Sequence, residues 1–203
     1  KAITSLVGNI KSADATNRCG IHVHVNVRDL TMKQLSDVYT LYYLMEDMFF
    51  TYSGSRSASC FCVPTPAYKV TKLAQAAERQ RPVFGADFFT KYDALNLLPV
   101  GEKGSIEFRH HYATTRKETI VDWANLVANL VNFVRTNRLE ESLGVIDTFN
   151  WVRDINTVSN YDQVIGLFEE LGEHKYEVPL AARERFRSSI RRRVYLFKLE
   201  TTQ

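Results

Sequence analysis

The groups in this chain best placed to do chemistry are two histidines one residue apart in a β-branched run, His22 and His24 of Cys19-Gly20-Ile21-His22-Val23-His24-Val25-Asn26. A strand sends successive side chains to opposite faces, so both imidazoles share one face while Ile21, Val23, Val25 and Val27 point into a core. An H-x-H pair suits a divalent cation once carboxylates complete the set. The same pattern is also common among plain surface histidines. A second alternating segment, Ser105-Ile106-Glu107-Phe108-Arg109-His110-His111, turns Ile106 and Phe108 inward and sends Glu107, Arg109 and His111 out together. A carboxylate and a guanidinium on one strand face can act as metal ligand and phosphate clamp, because the arginine fork matches phosphate oxygens bidentately. The alternative is an intra-strand ion pair on a solvated face. Two polar-faced strands of this kind predict one pocket that is both acidic and basic.

The elements that must position these groups are legible nearby. Thr31 and Gln34 stand at capping-box spacing, with Leu30 and Leu35 placed as a hydrophobic staple, so a helix starts there. Its stripe Leu35, Val38, Tyr42, Met45 and Phe49 has helical period and belongs to the core. The loop Ser53 to Ser59 carries Arg56 and leads into Cys60-Phe61-Cys62-Val63, read as a short strand ended by Pro64 and Pro66. Helices are expected over 68–80 and 87–95. Segments 96–100 and 105–112 flank Gly101-Glu102-Lys103-Gly104, a four-residue loop suited to an antiparallel hairpin. A helix from about Thr119 carries Trp123, Leu126, Val127, Leu130 and Val134 on one face. Another runs near 161–171 and stops at Gly172, and a last one opens at Pro179. Hairpin-joined strands mixed with unequal helices predict an α+β fold.

Composition limits the class of protein. The chain has 203 residues, 45% hydrophobic and 12% aromatic, enough for a substantial core in one ordinary domain. The longest apolar segment, 41–50, contains Glu46 and Asp47 and falls short of the roughly 20 residues that a membrane span needs. Lys1-Ala2-Ile3-Thr4-Ser5 holds no secretory core, and three cysteines do not make a disulfide framework, so a cytoplasmic setting is expected. Cys60 and Cys62 lack the loop spacing of a structural zinc site. Seven basic residues crowd 181–198 against the single acid Glu184, but Phe186, Ile190, Val194 and Phe197 run a stripe through them. The arginines therefore read as the outer face of a docked helix, and nucleic acid is not expected as a partner. No G-x-x-x-x-G-K-[ST], G-x-G-x-x-G or G-x-S-x-G sequence is present.

Along the chain the motifs run Cys19-Gly-Ile-His-Val-His-Val, then Arg56-Ser-Ala-Ser-Cys-Phe-Cys, Tyr92-Asp-Ala-Leu-Asn96 and Ser105-Ile-Glu-Phe-Arg109, followed by the Trp123 helix. That order resembles the putative amidoligase family. That family is similar in fold to glutamine synthetase and glutamate-cysteine ligase. The resemblance implies an antiparallel half-barrel sheet packed with helices, and ATP- and Mg²⁺- or Mn²⁺-dependent ligation of a carboxylate to an amine through an acyl phosphate. A peptide, protein or cell-wall substrate is expected. It further implies that His22 and Glu107 ligate the metal, that His24 contacts the nucleotide, and that Arg109 stabilises the transferring phosphoryl group. Arg56 would be a second arginine near phosphate or substrate, and Asn96 would lie close to the nucleotide pocket.

Two departures bear on this. The family places an E-x-E strand upstream of the His strand, whereas Lys1 to Arg18 contain no glutamate, and Lys91 stands where the family places an arginine. The sequence thus divides into an amidoligase-like core, 1–140, without its E-x-E strand, and a helical, basic extension, 141–203. It reads as a fragment of an active ligase or as a reduced relative. The rival reading is an inactive amidoligase-like fold kept as a structural or binding module in a homo-oligomer or larger assembly. A virion-associated phage protein is one example of such a module.

Overall fold

The computed structural model describes residues 19–54, 59–81, 84–85 and 87–202. In chain order these build β1 (Gly20–Asn26), α1 (Met32–Tyr52), α2 (Ala67–Glu78), β2 (Leu95–Asn96), α3 (Pro99–Lys103) and β3 (Ser105–Tyr112). There follow α4 (Lys117–Arg135), α5 (Arg138–Leu143), α6 (Thr148–Asp154), α7 (Val158–Leu171) and α8 (Leu180–Thr201). The fold is mixed, largely helical, with an open three-stranded sheet in the order β1-β3-β2. Both strand pairs are antiparallel.

The local signals act as the sequence requires. Thr31 Oγ1 accepts from the Gln34 amide, and Gln34 Oε1 accepts in return from the Thr31 amide at 3.0 Å, closing the capping box that starts α1. The same device, Thr157 with Asn160, starts α7, and Gly172 caps its end. From Leu35 to Phe50, α1 is buried on nearly every side, as befits a helix enclosed by other elements. Phe49 shows why. Its ring meets Phe108 of β3, Trp123 of α4 and Phe168 of α7, with centroids 5.3–6.2 Å apart. Phe186, Ile190, Val194 and Phe197 of α8 belong to the same buried cluster. Among the described residues no helix is long and apolar enough to cross a membrane.

Several expectations need correction. Cys60 to Val63 form a turn, not a strand, and only Val63 makes a bridge, to Asp93. Pro64 and Pro66 follow at once and cannot donate to a ladder, which leaves no room for a longer strand. Residues 87–95 are turn and extended chain instead of helix, because the Thr90 amide and hydroxyl both donate to Asp93, whose carboxylate also takes Lys69 Nζ at 2.6 Å. The hairpin is present, but its connection is longer than four residues: β2 ends at Asn96 and Pro99 opens the helical turn α3. The arginines of α8 are not all on its outer face. Arg183, Arg187 and Arg193 pair with Glu169, Asp162 and Glu46 on neighbouring helices.

Gly104 ends α3 with φ near 61° and feeds directly into β3. A Cβ there would fall 2.2 Å from Arg28 Cγ. Gly104→Ala is therefore expected to lower unfolding free energy by about 1–2 kcal/mol, the usual cost of a side chain in the left-handed region. Chemical denaturation measures it, and an unchanged midpoint would show that the turn is not held in this conformation.

Candidate functional site

The polar face of the sheet is organised as a rung. Asn96 of β2, Glu107 of β3 and His24 of β1 are directly opposite one another across the three strands, so their side chains emerge together. Asn96 Nδ2 donates to Glu107 Oε2 at 2.8 Å, and Asn96 Oδ1 accepts from the Leu98 amide at 3.0 Å. On the other oxygen, Glu107 Oε1 lies 2.9 Å from Arg109 Nη1, 2.9 Å from His22 Nδ1 and 3.8 Å from His24 Nε2. His22 Nδ1 is also 3.3 Å from Arg109 Nη1. One nitrogen cannot both donate to the carboxylate and accept from the guanidinium, and the shorter contact selects donation to Glu107.

The carboxylate forms the floor of this arrangement and the imidazoles its rim. The Glu107 side chain is 9% exposed, against 35% for His22 and 39% for His24. Burial alone would raise the Glu107 carboxyl. Hydrogen bonds with His22 and Asn96 and the Arg109 charge outweigh it and hold the group down at about 2, below its ordinary 4.5.

A bulge decides which side chains reach this face. Between Ile21 and Val23 β1 advances two residues, while β3 advances three, from His111 to Phe108. Arg109 and His110 together oppose His22, and the extra residue switches the alternation of β3. Arg109 stays on the polar face, and His110 is fully buried among aromatic rings. His111, expected beside Glu107 and Arg109, lies opposite Ile21 on the core side. There it stacks on Tyr112 at 4.6 Å and approaches Trp123 at 5.5 Å.

The structure thus brings together five of the expected residues, His22, His24, Asn96, Glu107 and Arg109. Arg56 lies outside the described residues. Lys91 stands over the Tyr92 ring at 5.2 Å rather than in the cluster. One contributor was overlooked in the sequence: Ser105, whose Oγ lies 3.1 Å from His24 Nδ1 and so orients that ring. The alternation that singled out Glu107 and Arg109 also places Ser105 on their face.

Among the described residues no group of three or more His, Cys, Asp and Glu side chains is arranged to hold a metal ion. His22 Nδ1 and Glu107 Oε1 nevertheless have a suitable separation, since two adjacent ligands of an octahedral cation at about 2.1 Å lie about 3 Å apart. They fit as a two-ligand set that leaves most of the coordination shell to water and substrate oxygens. Binding there requires Arg109 to swing off the shared oxygen and His22 to give up its Nδ1 proton.

The polar face of this open antiparallel sheet thus gathers an arginine, two imidazoles and a buried carboxylate. The family model for putative amidoligase enzymes matches residues 1–131, and the chain belongs to that family. All five clustered residues lie within the matched segment. No curated protein and no solved structure matches the chain.

Because the folded-state pKa of Glu107 is depressed, its contribution to stability is present above pH 4.5 and lost as pH falls to about 2. Melting curves of the native chain should drop more steeply across that window than those of Glu107→Gln. Parallel curves would mean that the carboxylate is not held by these donors.

Proposed function

We propose that this chain is an ATP-dependent carboxylate-amine ligase of the glutamine-synthetase-like kind, acting on a peptide, protein or cell-wall carboxylate with Mg²⁺ or Mn²⁺. One observation carries the reading: Arg109, His22 and His24 converge with Glu107 on the open face of the sheet, inside the segment that matches the amidoligase family. The three antiparallel strands would be part of a half-barrel, residues 1–140 the catalytic core and 141–203 its helical buttress.

A carboxylate is a poor electrophile until one of its oxygens has displaced ADP from the γ-phosphorus of ATP. An amine then attacks the acyl carbon, the C–O bond to phosphate breaks, and the amine nitrogen loses its proton. The enzyme's part is to place and neutralise charge. Arg109 supplies a planar fork for the equatorial phosphoryl oxygens. His24, oriented by Ser105, offers Nε2 to the nucleotide from the rim. Asn96 holds Glu107 from the far side, leaving Oε1 to face the pocket. His22 and Glu107 would hold the cation, which when bound neutralises phosphate charge. Arg56 takes the role of a second phosphate or substrate arginine on the strength of its motif.

A second reading is favoured by one feature. Both oxygens of Glu107 are already satisfied within the protein, Oε1 by His22 and Arg109 and Oε2 by Asn96. A closed network of this kind also serves to tie three short strands together in a binding or structural module of a larger assembly. Calorimetric titration with Mn²⁺ and a nonhydrolysable ATP analogue separates the two. The ligase reading expects metal-dependent binding that Glu107→Gln weakens about tenfold or more, with the fold intact. Arg109→Lys should cut ATP turnover by about tenfold or more, because a point charge lacks the fork. Absence of binding in the unaltered chain would support the module.

A further inference from the structure

On the opposite side of β3 from the pocket, a chain of buried polar groups runs from the bulge to the C-terminal helix. Tyr42 Oη lies 2.6 Å from His110 Nε2 and 2.6 Å from Glu46 Oε1. Glu46 Oε1 also accepts from the Thr65 amide at 2.8 Å, and Oε2 lies 2.8 Å from the Arg193 guanidinium of α8. That guanidinium reaches Asp47 Oδ1 at 2.7 Å, and Asp47 in turn accepts from Ser189. Tyr42, Glu46 and His110 are fully buried. None of them can touch a ligand in the pocket.

The direction of the chain follows from its charges. A sealed carboxylate requires a counter-charge, and Arg193 provides it. The single phenolic proton of Tyr42 is donated to Glu46 Oε1. The Tyr42 oxygen is then left to accept, so His110 Nε2 carries the proton that bonds it. Of the two residues that oppose His22 at the bulge, His110 is the inward one and Arg109, its neighbour, the outward one. A bulge that shifted by one position would exchange the two faces, taking the guanidinium off the pocket and into an aromatic core.

We propose that Tyr42 is a positioning residue for Arg109: by holding His110 on the core side it locks the bulge that aims the guanidinium into the pocket, and Arg193 of α8 sustains the lock by neutralising Glu46. The proposal rests on the reading of Arg109 as the anion-binding group. It also gives α8, which lies beyond the matched segment 1–131, a defined part in the site. The C-terminal helix is then a strut whose buried charge reaches the pocket through Glu46, Tyr42 and His110.

Tripolyphosphate binding and the Arg109 Nε–Hε resonance in ¹H–¹⁵N spectra test this in the full chain. Tyr42→Phe keeps the ring and its packing and removes only the hydroxyl. We expect a folded variant in which tripolyphosphate binds about tenfold more weakly, as for a misaligned charge-assisted contact. The Arg109 resonance should shift or broaden, while that of Arg135, bonded to Asp29, stays in place as the control. Arg193→Gln, which removes the counter-charge of Glu46, should move the Arg109 resonance in the same direction and serves if Tyr42→Phe does not fold. An Arg109 resonance and an affinity unchanged in the folded variants would overturn the proposal. If the unaltered chain does not bind tripolyphosphate, the anion-binding role of Arg109 fails, and the proposal that rests on it falls as well.

Discussion

A carboxylate nearly sealed from water on the face of a sheet must be given its hydrogen-bond donors by the chain itself, and the polar architecture of this protein is arranged around meeting that demand at Glu107. Each strand contributes. His22 comes from β1, Arg109 from β3 and Asn96 from β2, and they account for both oxygens. Asn96 adds a side-chain tie to the backbone bonds and the buried Leu95 that already hold the two-residue β2 against β3. Its amide joins the edge of the sheet to the central carboxylate and, through the Leu98 amide, fixes the start of the connection to β3. Satisfying a buried charge and registering a short strand are here one task.

The same strand has to serve a second environment. Ile106 and Phe108 face a core built around α1, whose Phe49 joins the sheet to α4 and α7. Strict alternation through His111 would put four polar side chains on the pocket face and leave the core short of a group beside Trp123. The bulge resolves this by spending an extra residue: Arg109 remains outside, and His110 and His111 both turn inward. Histidine suits that inward position, because its ring packs among aromatics while Nε2 still finds Tyr42.

The C-terminal helix follows similar logic on a larger scale. Its apolar stripe docks it, and its inward-reaching arginines each meet an acid carried by another helix: Glu169 and Asp162 on α7, Glu46 and Asp47 on α1. Pairs at the rim contribute little individually. The Arg193 pair differs, since Glu46 is wholly buried and would otherwise be an uncompensated charge in the centre of the molecule. The basic character of 181–198 thus arises in part from acids placed far earlier in the chain.

What the sequence determined by itself is whatever depends on neighbours in the chain. The capping box at Thr31, the helical stripes of α1, α4 and α8, the stops at Gly172 and Pro179, and the shared face of His22, His24, Glu107 and Arg109 all follow from local stereochemistry and period. So does the family, through the order of its motifs. Tertiary structure decided the rest. Whether Cys60–Val63 could be a strand depended on Tyr92 and Ala94 offering only a single bridge, and 87–95 lost its helix to the contacts of Asp93 with Thr90 and Lys69. His111 was misplaced because alternation holds only until a bulge intervenes, and the bulge is set by how β1 and β3 register against a shared core. Glu46 broke a helical apolar run without apparent reason until Arg193, 147 positions later in the numbering, came to lie beside it. Periodicity reports which face a side chain takes; only the fold supplies the group that waits on that face.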